Sequence, residues 1–172
     1  MPKYPLAIRV THWLMAIIII GLLCVGLIMT SLPKEDPLRN TLFMLHKSFG
    51  ILVFILFFVR IFFRVRLGGL PLPEVIPPLE RTLAHAGHHT LYLFMVIMPL
   101  SGFLMTEAFG RPVPFFGLTM PKVIGVDKDL GHLLDGVHDY GAYILIAILV
   151  LHVGAVIWHR VKEHVNLLDR MI

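Results

Sequence analysis

Ionised side chains are scarce in this sequence: Asp, Glu, Lys and Arg make up 15% of its 172 residues, against 57% hydrophobic. A soluble domain carries about 25% charged residues, so a water-soluble globular fold is excluded. Cysteine is almost absent. Cys24 stands alone, which excludes an intramolecular disulfide framework, a CxxC redox pair and an iron–sulfur cluster on four thiolates. What is plentiful is histidine, with ten in the chain. An ionisable group inside a bilayer is costly, so each one within an apolar span reads first as functional.

Crossing the hydrocarbon core takes about 20 apolar residues in a helix. Four stretches qualify: Thr11 to Leu32, Thr41 to Val59 with Lys47 its only charge, Thr82 to Thr106, and Tyr140 to His159. Asp36-Pro37 supplies a capping acceptor and a proline for the first helical position, so the second helix is expected to begin there. The expectation is an all-α integral membrane protein, a four-transmembrane-helix bundle forming one domain over residues 1–172, with helices at about 6–31, 37–64, 81–106 and 130–161. The run after Lys3 and Arg9 is longer than a secretory h-region and no A-x-A pattern follows, so it reads as a span. Nine of the 15 lysines and arginines fall on the side of the termini and the segment Arg60 to Arg81, which predicts both termini in the cytoplasm. The outer loop, from 107 to about 130, is apolar and turn-rich, a composition that suits a loop lying against the bundle.

His138 and His152 are 14 positions apart, and at about 100° per residue they return to within about 40° of one face. At about 1.5 Å per residue they are separated by about 21 Å along the axis, too far to share one metal ion or one haem. The spacing suits two haems stacked across the bilayer, each with one of these histidines as an axial ligand and the other ligand from a facing helix. Depth pairs His12 with His152 near the cytoplasmic side and His46 with His138 near the outer side. Gly50, Gly141, Ala142, Gly154 and Ala155 would let a flat macrocycle approach, or equally serve plain helix packing. His85, His88 and His89 have a spacing open to zinc, but no Cys or carboxylate on that helix completes a site. His88 instead reaches the level of the inner pair, where it can bind a propionate or a quinone carbonyl. His159, beside Trp158 and Arg160, has the same options, and Trp158 also fits an interfacial anchor. His132 and His164 read as solvent-exposed.

Taken together, the motifs are His12-Trp13, His46-Lys47-Ser48-x-Gly50, Ala84-His85-x-Gly87-His88 with Tyr92, Phe116-Gly117-Leu118-Thr119-Met120-Pro121, and His138 with His152. Over nearly the whole chain this pattern resembles the bacterial cytochrome b561 family, and the outer-loop run resembles the branch whose members act as superoxide oxidases. The resemblance implies a multi-pass protein of the bacterial inner membrane holding two b haems, His12/His152 at the inner and His46/His138 at the outer level. It implies an oxidoreductase in which superoxide gives an electron at the outer side and ubiquinone is reduced. Relatives in the family serve as cytochrome subunits of larger enzymes, so the alternative is an electron-transfer subunit linking quinone to a periplasmic redox protein. A third reading, a histidine-lined metal-ion carrier, predicts a colourless protein.

A superoxide donor is an anion, and Lys47, next to His46, with Arg39 and Arg111 are the local cations that can steer it. Lys47 reads equally as a snorkelling residue. At the other end His88, Trp158, His159 and Arg160 are the candidates for quinone or propionate. The expected partners are superoxide, ubiquinone, the lipid bilayer and a periplasmic redox protein in the alternative reading, with no nucleic acid.

Overall fold

Prolines and caps set where the helices begin. In the computed structural model, which describes residues 1–172, α1 (Leu6–Ser31) follows Pro5 directly. In α2 (Pro37–Leu67), Pro37 occupies the first turn and the Asp36 carboxylate accepts from Leu38 N at 2.8 Å, satisfying a donor that the helix itself leaves free. α3 (Pro78–Ala108) starts on the second residue of Pro77-Pro78. α4 (Lys128–Lys162) is capped by Asp127, which accepts from Leu130 N at 3.0 Å.

These helices run slightly longer than the apolar spans. α2 continues past Arg64 and Arg66 to Gly68, whose φ of +72° ends it. Charged side chains in the last turn of a membrane helix extend toward the headgroups and complement the helix dipole, so they do not mark its end.

All four helices are long and apolar enough to cross a membrane. Only 18 of the 172 residues are buried, and Ile17, Leu93 and Val150 are among many large apolar side chains left exposed. In water this outer face would be untenable; in lipid it is the expected surface. α1 packs along α2, α3 along α4, and α2 against α3, while α4 makes no comparable contact with α1 or α2.

At the end holding the termini, Tyr4 N donates to Arg170 O at 3.0 Å and Tyr4 Oη to Leu70 O at 3.4 Å. Arg170, buried in a 3-10 turn at Leu167–Arg170, donates to Pro71 O at 3.0 Å. Trp13 Nε1 donates to Met171 O at 2.8 Å. The first residues, the α2–α3 linker and the C-terminal tail are thus tied into one cap.

At the opposite end the long loop folds onto the bundle, in keeping with its composition. Its hairpin pairs β1 (Pro114–Phe115) with β2 (Leu118–Thr119) through Phe116 and Gly117 at φ +47° and +90°. Positive φ at both central residues is what a two-residue I′ turn requires. Phe116 N donates to Ser48 Oγ at 3.0 Å, and the Phe116 ring stands edge-on to Phe49 at 5.1 Å. Glu107, 4% exposed, accepts from Val123 N and Ile124 N at 3.1 Å, so the loop is pinned to the end of α3 as well as to α2.

Candidate functional site

Two pairs of imidazoles lie inside the bundle. His12 of α1 and His152 of α4 have ring centres 6.4 Å apart, and His46 of α2 and His138 of α4 have theirs 6.1 Å apart. Each pair therefore joins α4 to a helix along which it does not pack. An imidazole nitrogen bonds a metal at about 2.0 Å and its ring centre lies roughly 1.1 Å beyond, so two imidazoles on opposite sides of one ion have centres about 6.2 Å apart. Both separations fit a metal ion that the two rings would hold between them.

The surroundings of the loop-end pair support that fit. Ser101 Oγ donates to Met98 O at 3.1 Å and stands 3.1 Å from His138 Nδ1. With its own proton committed, the hydroxyl accepts the Nδ1 proton of His138, which leaves Nε2 free to bind a metal. His46 Nδ1 is buried without a hydrogen-bond partner. A narrow apolar cleft of roughly 270 Å³ runs between α1 and α2, with His46, Gly21 and Phe49 among its walls. Glycines back both rings. A Cβ on Gly102 would lie 2.9 Å from His138 Cε1, and one on Gly26 would lie 3.4 Å from His46 Cε1. Of the glycines marked in the sequence, Gly50 and Gly154 would place a Cβ in open space, with nothing within 4 Å, and one on Gly141 would meet the flexible Met98 Sδ at 2.7 Å.

The pair at the termini end has two further neighbours. Arg60 Nη2 lies 3.4 Å from His12 Nδ1, and Nη1 donates to Ile8 O at 3.1 Å. The exposed His88 ring stands edge-on to His152 at 5.6 Å. Arg60 was visible in the sequence as an arginine inside the apolar run from Phe57 to Phe63, where a permanent charge marks a functional position; counting it only toward topology missed this. Its rigid fork of donors suits a carboxylate. Ser101, Gly26 and Gly102 carried no comparable sequence signal.

The other candidates are dispersed. Lys47 is half-buried beside Ser48, where the hairpin docks, and its charge is close enough to interact with that of Arg111 in the loop. Arg39 lies over the Phe43 ring at 4.8 Å, with its Nε buried and unpartnered. Trp158 and Arg160 are exposed, and Lys162 Nζ sits 4.8 Å over the Trp158 ring. His159, a candidate for quinone or propionate in the sequence, faces two carboxylates. It is 5% exposed, and its Nδ1 is 2.5 Å from Glu163 Oε2 and 3.4 Å from Glu80 Oε2. Glu163 follows it by one helical turn, and Glu80 enters from the start of α3. His85 and His89 do not join His88 in a cluster: His89 Nδ1 bonds His85 O within the helix at 2.7 Å. His132 and His164 are exposed.

The comparisons with known proteins bear on the family of the chain. The profile of the family described as Prokaryotic cytochrome b561 matches residues 3–172. The chain is 30% identical to Cytochrome b561 homolog 2 of Escherichia coli K12, over 99% of this chain and 91% of that protein. It is 31% identical to the Probable superoxide oxidase CybB of Yersinia pestis, over 75% and 73%. With Cytochrome b561 homolog 1 of Escherichia coli K12 it shares 25%, over 74% and 72%.

Proposed function

The chain belongs to the prokaryotic cytochrome b561 family of membrane electron-transfer cytochromes that bind b haems, and on that premise we propose that it is a di-haem superoxide:ubiquinone oxidoreductase. It is a multi-pass protein of the bacterial inner membrane. The observation that carries the reading is the pair of imidazole pairs, at 6.4 and 6.1 Å, that bridge α4 to α1 and to α2. His12 with His152 would hold one haem and His46 with His138 the other. Bound there, haem supplies one-electron transfer between a donor at one membrane face and an acceptor at the other. The likeness to a probable superoxide oxidase supports the choice of donor. Two superoxide anions lose one electron each and leave as O2; ubiquinone takes both electrons and two protons and leaves as ubiquinol.

Mixing the purified protein with superoxide in the absence of any protein partner should reduce its haem within milliseconds, and adding a soluble ubiquinone should yield quinol. Haem that stays oxidised would sink the proposal. A second reading has its own support, since Phe116, Leu118 and Val123 leave an exposed apolar patch at the loop end, 49%, 69% and 68% accessible, which suits a docked redox protein. Haem reduction that requires such a protein would select this reading.

At the loop end, Lys47 and Arg111, whose charges are close enough to interact, draw in the anion beside the hairpin that Ser48 anchors, with Arg39 nearer the start of α2. Lys47→Glu should keep the full haem content and slow reduction by superoxide about tenfold at low salt, with the residual rate less dependent on ionic strength, because steering of an anion by a half-buried charge is still partly screened by salt. Equal rates for both proteins at low salt would leave Lys47 as an interfacial anchor.

At the termini end His88 is the group we assign to the quinone carbonyl, because its exposed ring lies against His152 and can be reached from the membrane. Trp158 and Arg160, exposed at the same end, flank the approach. His88→Ala should leave reduction by superoxide intact while quinone turnover falls about tenfold, or about 1.4 kcal/mol of barrier. If His88 bound only a propionate, the midpoint potential would shift and the quinone KM would not.

A further inference from the structure

Glu80, His159 and Glu163 lie apart from both imidazole pairs, at the termini end where α3 begins and α4 ends. One ligand atom from each falls within 4.8 Å of the others. We propose that these three side chains form a divalent-cation site, with zinc the fitting ion, that ties α3 to α4.

The cluster is more than a concentration of acid. One donor is an imidazole, 5% exposed, and an imidazole with two carboxylates is a donor set that zinc accepts in tetrahedral sites. The Glu163 side chain is only 8% exposed, yet its Oε1 is buried with no hydrogen-bond partner, and Glu80 Oε2 is likewise buried and makes no hydrogen bond. A buried carboxylate oxygen without a donor is costly to keep, and a cation held among the three would supply positive charge to both carboxylates. The arrangement also rests on two elements: His159 and Glu163 come one turn apart from α4, and Glu80 comes from the first turn of α3. A bound ion would therefore bridge the helix pair and not merely decorate one helix. Glu80, 24% exposed, marks the open side, where water can complete the coordination. The competing arrangement is a cluster held without metal by the His159 contacts and by Lys162, 3.5 Å from Glu80 Oε1.

The test is equilibrium dialysis of the haem-loaded protein, purified without a polyhistidine tag, against micromolar zinc, with metal counted by atomic absorption. Wild type should retain one zinc per chain and unfold at a higher temperature with zinc than without it. Glu163→Gln and Glu80→Gln should each weaken retention at least tenfold, whereas the double substitution His85→Ala/His89→Ala should leave it unchanged. Glu80→Gln, at the more open position, guards against a folding defect in Glu163→Gln, and an unaltered haem spectrum checks each variant. Wild type that retains no more zinc than Glu80→Gln, or zinc lost only with His85 and His89, overturns the site and leaves an ion-pair cluster.

Discussion

Replacing His46 or His138 by alanine should remove the same haem, and replacing His12 or His152 should remove the other, so that each variant keeps about half of the bound cofactor. The physical reason is geometric. The pairs lie near the separation of about 6.2 Å that suits two imidazoles on one metal ion, 6.1 Å for His46 and His138 and 6.4 Å for His12 and His152, whereas His88 stands closer to His152, at 5.6 Å. The two histidines of α4 stand about 21 Å apart along the axis, so losing a ligand at one level leaves the other level intact. Haem content per chain from the pyridine haemochrome, with low-temperature spectra to tell the two haems apart, gives the answer. If His12→Ala and His46→Ala emptied the same site, the pairing would be wrong; if all four variants kept both haems, the histidines would not be the ligands.

That His12 lies near His152, and His46 near His138, was legible in the sequence because both ingredients of that proximity are local. A helix converts spacing into depth and face, so His138 and His152 could be placed from the sequence alone, and charge-free spans fixed the depth of His12 and His46. What accompanies the pairs was hidden for the opposite reason. Ser101 and Gly102 matter to His138 only because α3 packs along α4, and no periodicity within α3 reveals which glycine lies beneath which ring. Gly141, three residues after His138, was open to macrocycle clearance or to plain helix packing, and it faces Met98. Glu107 pins the loop through backbone donors 16 and 17 residues away, a contact that composition cannot predict. Lys47 and Arg111 were grouped by type, and their charges are close enough in the fold to interact; His159 was grouped with His88, Trp158 and Arg160 by depth, and its contact with Glu80 on another helix had no signal in the sequence.

Gly102→Val should abolish the haem at the loop end while sparing its neighbour, although Gly102 binds nothing itself. Even a Cβ there would stand 2.9 Å from His138 Cε1 and 3.2 Å from Nδ1, closer than carbon atoms approach without something moving. The ring has little room to give, because Ser101 Oγ holds its Nδ1 at 3.1 Å and a ligating nitrogen must keep its distance to iron within a few tenths of an ångström. Valine adds two methyl groups to that overlap, and their rigid χ1 leaves them few alternatives. Two neighbours provide the contrast. Gly26→Ala would put its Cβ 3.4 Å from His46 Cε1, near ordinary contact, and should keep both haems. Gly141→Ala would meet Met98 Sδ at 2.7 Å, but a thioether with three rotatable bonds can move aside, so it too should keep both. Haem content should therefore fall by about half in Gly102→Val alone, with the loss matching that of His138→Ala in the spectrum. Circular dichroism should show the helices intact. A fully loaded Gly102→Val protein, or equal losses in all three glycine variants, would mean that the close approach of α3 to His138 does not govern the site.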